Sequence, residues 1–343
     1  MIGETMQLNL LYQFNEKYVP YAGVSIYSAL WNNKHMEKVC VYVLGENIND
    51  DSRSKLEQVI SEFHREIIFV NTEALITKMK SMDMPTYRGS YAANMRLFLD
   101  EVLDTSIDRV LYLDADTIVN RRLDELFETD LEDKTIGMVL ESLGASHKKQ
   151  IELSIDEEYY NSGVILFDME QWRNHNYSQK IAEHVRYKRN NYPAPDQDLL
   201  NVVCRGDIKR LDAKNNFQPV HAVFGDKLFL KVMHPEVYYS TEQLASSRKD
   251  IYIYHCFRFI GEFPWHENNV HPYGSVFDSY LKMSPWKSYE KTAADTGSIL
   301  KTEKVLFRIL PKSIFLCIFK VAHALFLYQS NRDSLKNKVN KLM

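Results

Sequence analysis

The segment RVLYLDADTIVN, residues 109–120, sets two carboxylates, Asp114 and Asp116, at the end of an apolar run. In an extended chain, residues two apart point the same way, so both carboxylates converge if strand geometry persists through Ala115. Such oxygen ligands suit a hard divalent cation, Mg²⁺ or Mn²⁺, of the kind that ties a protein carboxylate to a substrate diphosphate. A buried carboxylate pair with no positive neighbour would be costly. Asp is also a common turn residue, so the pair alone leaves metal site and plain turn both open. Four other groupings carry polar chemistry. Asn161, Ser162 and Gly163 stand before the apolar run VILF, and an Asn amide offers both a donor and an acceptor. Asp196, Gln197 and Asp198 follow Pro195 at a helix-start pattern. Arg96, in NMRLFL, is a permanent cation that either compensates nearby carboxylates or stands on a surface helix. His255 closes the run IYIYH, where a strand-end or core histidine is the plain reading.

The elements that must position these groups alternate along the chain. β-branched and apolar runs at 8–14, 39–44, 65–71, 109–114, 135–140 and 161–169 predict strands. Helical spacing at 23–33, 50–63 and 169–191 predicts helices between them. The expected fold is α/β, with a mixed, mostly parallel sheet covered on both faces. Ligands in such sheets bind at the carboxyl ends of strands. No P-loop, GxGxxG or internal repeat is present. From 217 to 290, Pro, His and aromatic residues dominate, which predicts loops and short helices wrapped on the core.

Composition narrows the class. With 45% apolar and 26% charged residues among 343, the chain has enough apolar mass for a sizeable core and is not a disordered polymer. The net charge of −4 is unevenly spread: from Lys301 on, nine Lys/Arg face only Glu303 and Asp333, so the rest of the chain is strongly acidic. An acidic body argues against nucleic acid as the main ligand, and a basic tail suits an anionic surface. The apolar stretch 305–328 is interrupted by Arg308, Lys312 and Lys320. It therefore predicts an interfacial amphipathic helix rather than a spanning one. The expected division is residues 1–290 as a catalytic domain and 301–343 as a basic, membrane-associating helical tail. Four scattered cysteines and an N-terminus without a signal-peptide pattern predict a cytoplasmic protein, peripheral on the inner face of the membrane.

Seven ordered pieces between about residues 8 and 270 carry a resemblance: YQFNEKYVPYAGVSIYSALWNN, SYAANMRLFLDEV, RVLYLDADTIV, YYNSGVILFDMEQWR, PDQDLLNVV, NFQP and the late IYHC followed by PW. The chain resembles glycosyltransferase family 8, the retaining nucleotide-sugar enzymes that include bacterial lipopolysaccharide galactosyl- and glucosyltransferases. The resemblance implies the GT-A fold, a Rossmann-like single domain with Mn²⁺ at the Asp-x-Asp pair. It implies that His255 completes the metal site with Asp114 and Asp116. It places Arg96, Ala115, Asn161, Ser162 and Asp196 at the donor, sets Gln197 beside the anomeric carbon, and gives Glu141 a position where the family often contacts the sugar. Tyr18 matches a tyrosine able to stack on uracil.

Two departures from the family pattern stand out. Asn15 occupies the end of the first strand, where the family has an acidic residue meeting the base or ribose. Phe263 stands where a lysine usually binds the diphosphate, with Arg258 and Gly261 nearby as the substitute clamp. The resulting expectation is a Mn²⁺-dependent retaining hexosyltransferase, with Mg²⁺ as the second choice of ion. It would move glucose or galactose from UDP-glucose or UDP-galactose to a lipid-linked or lipopolysaccharide-type glycan, with acceptor contacts in the segments 72–90 and 217–250. The alternative is a catalytically degenerate nucleotide- or glycan-binding protein at the membrane. A sugar nucleotidyltransferase would want a basic Gly-rich loop near its N-terminus, which this sequence lacks.

Overall fold

The computed structural model describes residues 7–322 apart from 88, 143, 144, 189–191 and 296. Nine strands are present among them: β1 Gln7–Asn15, β2 Lys38–Glu46, β3 Glu66–Val70, β4 Arg109–Leu113, β5 Thr117–Val119, β6 Ile136–Leu140, β7 Tyr160–Asp168, β8 Ile208–Arg210 and β9 Ile253–His255. Seven form one sheet in the order β3-β2-β1-β4-β7-β6-β8, and β5 pairs with β9 in a separate two-stranded ribbon. β7 runs antiparallel to both its neighbours, whereas the other pairings in the large sheet are parallel. This is the mixed, mostly parallel sheet that the alternating pattern predicts.

The central strands are apolar because helices cover both faces. In β1 every residue from Leu8 to Phe14 is buried, and in β4 so is every residue from Val110 to Leu113. The reversed direction of β7 decides where the site lies. The carboxyl ends of β1, β4 and β6 lie at one edge of the sheet, and β7 brings its first residues to that same edge. The registers Leu113 opposite Val164 and Leu140 opposite Tyr160 set this alignment.

Asn161, Ser162 and Gly163 lie inside β7, as the predicted strand 161–169 has them, next to a register shift at Met138/Val139. Two elements differ from the sequence reading. The expected helix at 169–191 is two helices, Met169–Asn174 and Tyr177–Lys188, separated at Asn176, whose φ is +55°. The segment 72–90 contains a helix, Glu73–Ser81.

The tail also differs from one continuous helix. A helix spans Ser298–Ile309, the chain breaks at Leu310–Pro311, and residues 312–322 are helical again. Pro cannot sit within a helix without losing a hydrogen bond, which places the break. Phe315 and Leu316 are buried with Phe224, Phe229, Phe259 and Ile260, and Leu306 and Phe307 pack against them. Lys312 Nζ donates to Val223 O at 2.7 Å and Lys320 Nζ to Val232 O at 2.8 Å. Those carbonyls lie in the last turns of the helices Pro219–Phe224 and Asp226–Met233, where cations are favoured. Two of the lysines expected at lipid headgroups are thus turned onto the body. The remainder of the expected 305–328 helix, from 323 on, lies outside the described residues.

Candidate active site

Asp114 and Asp116 follow β4, but not in strand geometry. Thr117 N–H and its Oγ1–H both donate to Asp114 O, at 3.1 and 2.8 Å, which closes a turn through Ala115. The two carboxylates converge by that turn rather than by strand alternation. They meet His255, which the antiparallel ribbon holds directly opposite Thr117. Its Nε2 lies 3.4 Å from Asp116 Oδ1 and 3.7 Å from Asp114 Oδ2. Asp114, Asp116 and His255 each offer a ligand atom within 4.8 Å of the others.

The donor set fits a divalent cation. His255 is buried, yet its Nε2 has no hydrogen-bond partner. A buried orphaned nitrogen beside two carboxylates calls for a further group, and a mixed oxygen and imidazole set favours Mn²⁺ over Ca²⁺ or Mg²⁺. Gly163 makes room for the ring: a Cβ there would lie 2.0 Å from His255 Cε1. The glycine therefore admits the imidazole rather than serving only the sugar pocket. Burial acts to lower the pKa of His255, but the nearby carboxylate of Asp116, with Asp114 behind, outweighs it and raises the net value.

Of the two readings of Arg96, the structure agrees with the compensating cation rather than the surface helix. Arg96 sits on a 3₁₀ stretch, Ala92–Glu101, and its side chain is only 4% exposed. Nη1 donates to Asp114 Oδ1 at 3.0 Å and to Ser162 O at 2.8 Å. Nη2 pairs with Asp196 and donates to Ser162 Oγ at 3.2 Å. Its guanidinium also lies over the Tyr112 ring, 4.4 Å from the centroid, and the Tyr112 hydroxyl donates to Asp114. This is the positive partner that the carboxylate pair requires. Burial alone would lower the arginine's pKa, but Tyr112, Asp196 and Asp114 reverse it, so the charge is secure.

Asp196, Gln197 and Asp198 begin the helix Pro195–Val203. Gln197 Oε1 accepts from Ser162 N–H at 3.0 Å, and its Nε2 donates to Glu141 at 2.8 Å and to Tyr159 Oη at 2.9 Å. Tyr159 in turn donates to Asp198 at 2.6 Å, and Asp198 also meets His147 Nε2 at 2.9 Å. Burial raises the Tyr159 pKa well above its usual value, so the phenol remains a donor. Asp198 is fully buried, which separates it from its neighbour Asp196. Glu141 follows β6 and also accepts from Asn161 Nδ2 at 3.0 Å.

The structure brings Arg96, Asp114, Asp116, Asn161, Ser162, Asp196, Gln197, Glu141 and His255 into one connected set. Ala115 sits in the turn between the carboxylates. At the end of β1, Asn15 Oδ1 is a buried acceptor without a hydrogen-bond partner. Tyr18 follows in the short 3₁₀ turn Glu16–Tyr18, edge-on to Trp265 with centroids 6.5 Å apart. Arg258 and Gly261 form a separate tight turn: Arg258 Nε donates to Gly261 O at 2.8 Å, and Gly261 takes φ +74°. Phe263, where the family has lysine, is buried in a stack with Trp265 and Tyr21, with successive centroids 4.4 and 3.8 Å apart.

Three residues of the set escaped the sequence reading: Asn216, Tyr159 and Tyr112. Asn216 lies in NFQP, a segment visible in the sequence but without a role there. Its Oδ1 meets His255 Nδ1 at 2.8 Å. Tyr159 and Tyr112 look like ordinary strand aromatics in sequence.

The family model described as glycosyl transferase family 8 matches residues 9–269. The lipopolysaccharide 1,2-glucosyltransferase of Escherichia coli (strain K12) is 27% identical over 302 residues, which are 87% of this chain and 83% of that protein. The lipopolysaccharide 1,3-galactosyltransferase of Salmonella typhimurium is 23% identical over 290 residues, 82% of this chain and 79% of that one. Among solved structures, the galactosyltransferase LgtC in complex with donor and acceptor sugar analogs superposes with a TM-score of 0.66 at 22% identity, covering 81% of this chain and 96% of that one.

Proposed function

Because the chain belongs to glycosyl transferase family 8 and is a glycosyltransferase with the GT-A fold, we propose that it transfers glucose or galactose, with retention, from a UDP-sugar to a lipid-linked or lipopolysaccharide-type glycan. The observation that carries this reading is the convergence of Asp114, Asp116 and the orphaned His255 Nε2 beside the Arg96–Asp196 pair. Asp114, Asp116 and His255 would hold Mn²⁺, with Mg²⁺ as the second choice. Bound there, the ion supplies charge neutralisation for the diphosphate leaving group.

The chain's own residues divide the remaining work. Arg96 holds Asp114 and Asp196 in place. Asp196, Asn161 and Ser162 face the donor hexose, and Gln197 stands at the reaction centre with its amide sense set by Ser162 and Glu141. The buried acceptor of Asn15 and the ring of Tyr18 receive the uridine. Arg258 takes the part of the lysine replaced by Phe263, since both are permanent cations able to meet a diphosphate. Retention by same-face attack and retention through a carboxylate intermediate are separate routes. Full burial of Asp198 leaves Asp196 as the accessible carboxylate of that helix start.

The protein would work at the cytoplasmic face of the membrane. No helix among the described residues is long and apolar enough to cross a bilayer. The side of the tail helices turned from the body exposes Val305, Ile309, Ile314, Ile318 and Val321. An apolar stripe beside basic residues suits an anionic lipid surface.

A UDP-release assay tests the reading. UDP-glucose, UDP-galactose, UDP-glucuronate and N-acetylated donors are each offered with Mn²⁺, with and without EDTA. Metal-dependent release from a hexose donor is expected. No release from any donor, together with no thermal shift on adding UDP, would overturn it.

A further inference from the structure

The metal histidine and the reaction-centre glutamine are joined by an unbroken chain of hydrogen bonds whose direction is forced. Gln197 Nε2 and Asn161 Nδ2 both donate to Glu141 Oε2, at 2.8 and 3.0 Å. A carboxylate only accepts, so both amides must turn their NH₂ groups toward it. Asn161 Oδ1 then faces the other way, where it accepts from Gly163 N–H at 2.9 Å and from Asn216 Nδ2 at 2.7 Å. The Gly163 N–H is a donor only, so it demands the same amide sense independently. Asn216 is fixed in turn: its Oδ1 meets His255 Nδ1 at 2.8 Å. An amide oxygen cannot donate, so the hydrogen sits on Nδ1 whether or not the ring is charged. What remains for ligation is Nε2, the nitrogen aimed at Asp114 and Asp116. The charge of Glu141 and a backbone N–H dictate this sense, rather than a choice between amide rotamers.

We propose that Asn216, with Glu141 behind it, is a positioning residue that holds His255 in its metal-ligating tautomer. Glu141, which is not itself a ligand, thereby acts on the metal site through three hydrogen bonds. The same carboxylate orients Gln197, so metal and sugar sites share one anchor. Outer partners that fix a ligating histidine commonly change metal affinity by about 10–100-fold. The inference rests on the proposed Mn²⁺ site.

The test measures Mn²⁺ binding directly, by the EPR signal of free Mn²⁺, in the full chain with UDP and no sugar donor. Asn216→Leu is expected to bind Mn²⁺ about 10–100-fold more weakly. Asn216→Asp, which still accepts from Nδ1–H, is expected to recover most of that loss. Because Asp also restores the shape of Asn, the tautomer measurement below separates positioning from packing. Equal loss in both variants, or none in either, overturns the proposal. Asp116→Asn is the reference: if it binds Mn²⁺ as the native chain does, the metal site itself is wrong. If it loses Mn²⁺ while Asn216→Leu keeps it, only the positioning role fails. Should Asn216→Leu not fold, the native chain gives the answer. In metal-free protein labelled with ¹⁵N-histidine at alkaline pH, Nδ1 of His255 is expected to carry the hydrogen. A hydrogen on Nε2 overturns the proposal.

Discussion

The sheet edge around Asp114 and the flank formed by residues 256–322 are built on different principles. At the sheet edge, Arg96 alone joins the loop after β4, the start of β7 and the start of the Pro195 helix through four side-chain contacts. Position there is set by charge and by hydrogen-bond direction. On the flank, Phe263, Trp265 and Tyr21 stack, and Phe315 and Leu316 fill an apolar pocket with Phe224, Phe229, Phe259 and Ile260. Position there is set by volume, and the ion pair Lys304–Glu262 at 2.5 Å closes the rim. Apolar packing tolerates exchange if volume is kept, whereas a directed polar set does not. Of the two departures from the family pattern, Phe263 falls on the tolerant side, whereas Asn15, at the end of β1, falls on the other.

Arg96→Met offers the largest test of this contrast. It would leave Asp114 and Asp196, which are only partly buried, without their cation, at a cost of about 3 kcal/mol, the low end for a broken buried pair. Arg258→Met, by comparison, breaks a bond to one carbonyl at the surface and should stay within about 0.5 kcal/mol. Urea unfolding of the two variants reads the difference, and equal losses would break the comparison. Asp116→Asn comes next. It should lower turnover by about 100-fold or more through loss of charge stabilisation, with little change in the unfolding midpoint. Steady-state UDP release and the melt of the same preparation separate the two effects.

How much of this was legible follows from the same division. Asp114, Asp116, Asn161, Asp196 and Gln197 sit in contiguous motifs, and the alternation of strands and helices is strong, so the sheet and the centre of the site were readable. Arg96 was named at the donor only through the family resemblance, because the 3₁₀ stretch 92–101 has the apolar spacing of a surface helix and only the fold turns its guanidinium inward. Asn216 was invisible as a partner because its role depends on Phe217 pairing with Tyr254 of β9, which sets Asn216 beside His255. The break of the tail at Pro311 was readable from that proline. The turning of Lys312 and Lys320 onto helix ends was not, since the helices that receive them have no distinct sequence pattern.

The pH response of His255 sharpens the comparison by a smaller amount. In the metal-free protein its pKa lies above the usual imidazole value near 6.5. The charged ring between two carboxylates therefore adds stability that is full below that usual value and is lost as pH rises through the raised one. Metal binding works in the opposite sense, because a ligating histidine must give up its proton. Mn²⁺ affinity should fall by up to about tenfold per pH unit as acid drives the ring back to its charged form. Metal titrations across this range, paired with melts of the metal-free chain, should show opposite slopes. His255→Gln should flatten both. Lys304 donates to Glu262 and to Asn268 O rather than to a metal ligand, so Lys304→Met should leave both slopes intact.

The smallest intrinsic effect belongs to the outer side of the tail. Ile309 and Ile318 are exposed at 67% and 43%, while Phe315, on the same pair of helices, is 1% exposed. Changing both isoleucines to Asp should alter stability by no more than about 0.5 kcal/mol per site, and UDP release with a water-soluble acceptor should not change. Phe315→Ala empties a packed site and costs about 3 kcal/mol or more. Sedimentation with vesicles rich in anionic lipid reads the other half of the prediction. The double Asp variant should lose binding, since it removes apolar insertion and adds charge of the wrong sign. If it binds as the native chain does, the stripe is not the lipid-facing side and the basic residues carry the attachment alone. Loss of binding with turnover on the soluble acceptor preserved would assign one side of the same helices to the body and the other to the membrane. The flank would then owe its apolar character to two separate demands, which a directed polar site such as that around Asp114 could not meet at once.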